Sequence, residues 1–308
     1  MDEKILDWLS QGPPWMRYAT QRQLRDLSPD AAPVLADPQI SEILSRLKDP
    51  KRGVAAIGTG YMSSDEYENP YWDLYFLADL GLSASDLGLK NEIERFLDTQ
   101  SPDGTYFTEM GMQPAYFCKS LILLSSIARL GYKDDRHIRK LVQLFLAGQR
   151  LDGGWYCNPN HDIGAALQDE PSCPQDNLNI LLLLGQYEQY RSDPRFRGAA
   201  DLLLKHWELR RTGAQIVYFG IGKRYQALQY PATRYGILRV LDALSLFPFA
   251  VRTASFHSML DFVRSKAVDG KYRVETPTPY TDLDPQREAS RLITFIVARV
   301  EKRVSEIG

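Results

Sequence analysis

The chain has 308 residues, 44% of them hydrophobic and 25% charged, and a net charge of −2. Such a composition is expected of a soluble globular protein with a sizeable core, and the near-balance of charge excludes a global attraction to nucleic acid or anionic membranes. The opening MDEKILDWLSQG lacks the basic region and long apolar core of a signal peptide, and no apolar run approaches the ~20 residues of a membrane span. Cys118, Cys157 and Cys173 are an odd number without disulfide-framework spacing, so a cytoplasmic protein is expected.

Taken in chain order, two kinds of segment alternate. WLSQGPPWMRY (8–18) is a helix end with a polar exit, and RYATQRQLRDL (17–27) is the helix that follows. ILSRLKDPKRGVAAIGTGY (43–61) repeats the aliphatic helix end with a glycine-rich exit, followed by PYWDLYFLADLGL (70–82). FLDTQSPDGTYF begins at Phe96 and is followed by PAYFCKSLILLSSIARLGY (114–132). FLAGQRLDGGWY begins at Phe145 and leads to PQDNLNILLLLGQYEQY (174–190). LLLKHWELRRTGAQIVYFG (202–220) is a degenerate copy before PATRYGILRVLDALSLF (231–247), and FVRSKAVDGKYR from Phe262 precedes PQREASRLITFIVARV (285–300).

Asp103-Gly104, Asp152-Gly153 and Asp269-Gly270 fall in identical register after Phe-aliphatic and then Gln or Lys. The gap between the first two is one period and the next is roughly two, a spacing that signals stacked two-element units. In DRHIRKLVQLFLAGQ, Ile138, Leu141, Val142, Phe145 and Leu146 recur at helical spacing, with charge on the opposite face. The segments of the second kind are apolar over most of their circumference, as in LILLSSIARL and NILLLLG, which is the pattern of buried helices. Six buried helices alternating with six amphipathic ones are expected to form one all-α domain over 1–308, an α6/α6 toroid of about six helix-pair repeats.

The repeat resembles the glutamine–tryptophan motif of squalene and hopene cyclases, with QRLDGGW at 149–155 the best copy, QSPDGTY a fair one and KAVDGKY a poor one. The chain thus resembles the terpenoid cyclase and protein prenyltransferase superfamily, which implies an α6/α6 toroid. The resemblance implies that Gln100 and Gln149 tie helix ends to their neighbours, with Trp155 packed alongside. It also implies an isoprenoid or similar apolar ligand in a central cavity, with a prenyltransferase-like transferase or an atypical terpene cyclase as the enzyme, if there is one. The cyclase Asp-x-Asp-Asp motif is absent: TDLDP offers Asp282 and Asp284 in a loop, and Asp134 and Asp135 read as helix caps.

Candidate site residues follow from where such a fold gathers its helix starts. Asp73, Asp176 and Glu288 lie early in buried helices, and Asp73 and Asp176 are the candidate catalytic acids, equally readable as first-turn carboxylates favoured by the helix dipole. Arg17, Lys119 and Arg234, with Lys223 and Arg224 nearby and Tyr116, Tyr230 and Tyr235 among their tyrosines, could hold an anionic head group or simply pair on the rim. Trp72 and Tyr75 share a helical face that could line a cavity or be core packing. Cys157, His161 and Cys173 offer zinc-type ligands, against the reading of small buried cysteines and a surface-loop histidine. A non-catalytic scaffold or lipid-binding module, and a carbohydrate-processing toroid with paired carboxylates, stand as alternatives.

Overall fold

The computed structural model describes residues 2–61, 63–102, 104–106, 117–156, 171–212, 222–232, 235–284 and 286–307. Among them every extended regular element is helical, and β-structure is confined to two isolated bridges, Val268 with Lys271 and Tyr272 with Ser290. Helices of six residues or more are numbered here: α1 Glu3–Ser10, α2 Pro14–Ala19, α3 Pro38–Leu47, α4 Pro70–Asp79, α5 Lys90–Leu97, α6 Phe117–Ile127, α7 Arg136–Ala147, α8 Pro174–Leu184, α9 Arg197–Leu209, α10 Ile237–Leu244, α11 Ala254–Arg264 and α12 Arg291–Ile307. A π-helical turn, Thr20–Leu24, continues α2, and another, Ala128–Tyr132, continues α6.

Even- and odd-numbered helices differ as the apolar patterns require. Every residue of α4, α8 and α10 is buried, as is Arg291–Val300 of α12. The odd helices bury one face only: in α7 this is Ile138, Leu141, Val142 and Phe145. Aspartate or threonine caps start several of them, with Asp37 accepting from the amides of Gln39 and Ile40, Asp135 from His137, and Thr253 from Phe256. Pro14, Pro38, Pro70 and Pro174 open their helices, where a missing N–H costs nothing.

Two buried helices begin later than their prolines suggest. The expected helix at 231–247 starts only at Ile237, after an extended Gly236. The one expected from 285 starts at Arg291, where Ser290 Oγ accepts from the Ile293 amide and supplies the cap. Proline permits a helix start without imposing one; here a capping hydroxyl or an extended glycine fixes the boundary.

The even helices pack in sequence, α4 on α6, α6 on α8, α8 on α10, α10 on α12, and α12 on the turn that continues α2. Trp15 of α2 packs against Phe76 of α4, at 5.5 Å between rings, and Gln23 of the turn continuing α2 donates from Nε2 to the Asp79 carbonyl. Odd helices lie against them, α3 on α4, α9 on α8 and α11 on α10.

The repeated turn is the same object in two copies. Gln149 Nε2 donates to the carbonyls of Gly153, at 2.7 Å, and Arg195, at 2.8 Å. Gln100 Nε2 does the same to Gly104, at 3.0 Å, and His137, at 2.9 Å. Each glutamine therefore joins its own turn to the start of the next odd helix. Trp155 Nε1 donates to the Phe145 carbonyl (2.8 Å), and the Tyr106 hydroxyl reaches the Leu97 carbonyl (3.4 Å), so the aromatic residue satisfies an orphaned helix-end acceptor. In the third copy Lys266 replaces glutamine and donates instead to the Gln226 carbonyl and to Glu275. Gly104, Gly153 and Gly270 all take positive φ, which explains the glycine at this step.

Candidate functional site

The starts of α4 and α8 carry the two candidate acids. Asp73 is 3% exposed in the first turn of α4, and its two oxygens accept from Arg46 of α3, Nη2 at 2.9 Å and Nε at 3.2 Å. The Tyr280 hydroxyl adds a third bond at 2.9 Å. Burial pushes the Asp73 carboxyl above its ordinary range despite the opposing pull of Arg46 and Tyr280. Asp176 is likewise buried in the first turn of α8, one residue before Asn177, which accepts from the Trp155 amide. The staple turn is thus tied to the start of α8: Asp152 accepts from the Ser172 amide and hydroxyl. Glu288 is exposed and lies in a short turn before α12 rather than inside it.

Trp72 and Tyr75 meet edge to face at 5.5 Å on α4. Tyr75 continues to Tyr230 at 6.1 Å, Tyr230 to Phe76 at 6.4 Å and Phe76 to Tyr280 at 5.4 Å. This aromatic surface carries two cations, one buried and one half-buried. The Arg239 guanidinium of α10 lies 5.4 Å from the Trp72 ring and 5.2 Å from Tyr75, while Arg129 lies 5.2 Å from Tyr75. Arg239 also donates to Asn179 Oδ1 (2.7 Å) and to the Ala232 carbonyl (3.2 Å). Burial, and then Asp79, push the Tyr75 phenol up to about 12, so at neutral pH it is a proton donor.

Tyr235 is not part of this surface but of a second cluster, stacked on His206 at 5.2 Å and 5.0 Å from Tyr225. Arg17, Lys223 and Arg224 are exposed. Tyr116, Arg234, Cys157, His161 and the Lys119 side chain lie outside the described residues. Cys173, the described member of the zinc set, is a buried thiol at the start of α8. Among the described residues no group of three His, Cys, Asp or Glu side chains could hold a metal.

Sequence reasoning passed over Arg46, Arg129, Arg239 and Tyr280. For Arg239 a signal existed: it sits inside GILRVLDALSLF, a segment otherwise apolar all round, and a charge there must find partners. No family model, curated protein or solved structure matches this chain. Among the described residues no helix is long and apolar enough to cross a membrane.

Proposed function

We propose that residues 1–308 form a terpenoid-cyclase- or prenyltransferase-like α6/α6 toroid that binds an isoprenoid or similar apolar ligand against the aromatic surface of α4. The toroid is supported by the order in which the even helices touch, which returns to its start through Trp15 and Gln23, and by the duplicated glutamine staple. The observation that carries the ligand class is the buried run Trp72, Tyr75, Tyr230 and Tyr280, with guanidinium groups already held near the rings of its first two members. Aromatic rings suit isoprene units, and their π faces stabilise the positive charge that develops when these ionise or are protonated. On this reading Asp73, whose carboxyl burial holds above its ordinary value, is the acid that takes the place of the missing Asp-x-Asp-Asp.

The test is titration of the purified chain with farnesol, followed by native mass spectrometry and tryptophan fluorescence. Saturable binding is expected, weakened about tenfold by Trp72→Leu, a loss of ~1.4 kcal/mol in keeping with a lost aromatic contact. A folded protein without saturable binding would overturn the proposal. A second reading, carbohydrate processing, draws on Asp73 and Asp176 as buried carboxylates in matching turns of two helices. Binding of an oligosaccharide and not of farnesol would favour it.

A further inference from the structure

At the end of α4 away from Asp73 lies a charged cluster that, among the described residues, does not balance. Two carboxylates, Asp79 and Asp242, face three guanidinium groups, Arg129, Arg299 and Arg303. Arg299 bridges both carboxylates: Nη2 lies 3.2 Å from Asp79 Oδ1 and 2.8 Å from Asp242 Oδ2, and Nε lies 2.9 Å from Asp242 Oδ1. Its Nη1 takes the carbonyl at the end of α4, that of Asp79, at 3.1 Å. Arg303 Nη1 is likewise satisfied, by Asp242 Oδ1, the Asp242 carbonyl and Ser245 Oγ. The helix-end carbonyls therefore compensate Arg299 and Arg303.

Arg129 has no such supply. Its Nη2 reaches a single carboxylate oxygen, Asp79 Oδ1, which Arg299 shares, and the other Asp79 oxygen accepts from Tyr230 at 2.5 Å. Nη1 of Arg129 is buried without a hydrogen-bond partner among the described residues. The nearby cation Lys302 pairs with Asp26 and Glu306, two carboxylates that are exposed at the surface and reach none of the three guanidinium groups with an ion pair. Among the described residues the cluster thus holds one more positive than negative charge, in a setting where an uncompensated charge is costly, and the donor left without a partner is Nη1 of Arg129.

We propose that this interior cluster is an anion site, in which a small oxyanion accepts from Nη1 of Arg129 and supplies the missing negative charge. Arg239, held over the same Tyr75 ring, adds to the positive potential there. A planar guanidinium suits a phosphate or carboxylate oxygen pair, and such bonds are stronger than neutral ones. The oxyanion is either free or the acidic head of a larger apolar ligand. Only the second case rests on the prenyl reading, and inorganic phosphate, which has no apolar chain, separates the two.

Inorganic phosphate and dodecyl phosphate are titrated separately against the full chain at constant ionic strength, by calorimetry and by the shift in melting temperature. Saturable, stoichiometric binding of either is expected, weakened at least about tenfold in Arg129→Gln, the loss expected when a charge-assisted hydrogen bond is removed. It should be unchanged in Arg264→Gln, which alters an exposed pair with Glu301. Phosphate binding identifies a free anion, and dodecyl phosphate binding alone identifies a head group. Should Arg129→Gln fail to fold, Arg129→Lys keeps the charge without the fork and is expected to bind more weakly than the native chain. Binding of neither probe, or binding equally strong in the folded Arg129 variant, overturns the proposal.

Discussion

Two buried aspartates are expected to bend the stability–pH curve in opposite directions. Burial holds the Asp73 carboxyl above its ordinary value of 3.8, so its neutral form is the one the fold prefers. Its contribution is present below that value and is lost as pH rises through the folded value. Burial acts on Asp242 too, but Arg299, Arg303 and Arg129 together draw it below 3.8. Its contribution is present above 3.8 and is lost as pH falls through the lower, folded value. Denaturant midpoints of Asp73→Asn and Asp242→Asn across the acid range should therefore show the native-minus-variant gap shrinking with rising pH for the first and growing for the second. At neutral pH Asp242→Asn is expected to cost about 3 kcal/mol, because it removes the carboxylate of Arg303 and leaves buried Arg299 with Asp79 alone. Gaps of the same slope would refute the assignment. Neither environment was legible in the sequence, since Asp73 meets Tyr280 207 residues away and Asp242 meets Arg299 57 residues away, and nothing local announces such a partner.

The repeated turn is the element whose chemistry was most legible, because spacing singled out Gln100, Gln149 and Trp155 and the resemblance to the glutamine–tryptophan motif implied what they do. The helix starts at Ile237 and Arg291 were not, since both depend on residues that follow the proline rather than on the proline itself. The staple's energetics separate into a hydrogen bond and a packing contribution. Trp155→Phe removes the bond to the Phe145 carbonyl and keeps the ring, for an expected loss of ~1 kcal/mol. Trp155→Ala also empties a buried site and should cost about 3–5 kcal/mol. Gly198→Ala probes the other side of the same turn: an added Cβ would fall 2.5 Å from the Asp152 carbonyl and 2.9 Å from the Gly153 Cα, both rigid backbone. Chemical denaturation should find a loss of ~1–3 kcal/mol, as for overpacking elsewhere. A neutral Gly198→Ala would mean that α9 and the turn are free to separate.

At the scale of the molecule the question is whether the even helices close on themselves, which the apolar pattern suggested but no segment by itself could state. In an open stack of repeats, loss of the last unit removes one interface and the remainder still melts cooperatively, at a lower temperature. In a ring, loss of one member strips two neighbours. α12 is the helix that decides between them, because it packs on both α10 and the turn continuing α2. It also carries Arg299 and Arg303 to Asp79 and Asp242 and supplies the Gln23 contact of Arg299. Truncation after Ala289 removes all of these at once, leaving the apolar faces of α10 and α2 uncovered and two buried carboxylates with only Arg129 between them. A ring predicts that the truncated chain has no cooperative thermal transition and binds a hydrophobic dye, while retaining helical circular dichroism. Removal of α1, an amphipathic helix with one buried face, should by contrast leave a cooperative but weakened transition. If the C-terminal truncation melts as cooperatively as the N-terminal one, the even helices form an open stack, and a toroid interior cannot be the binding site.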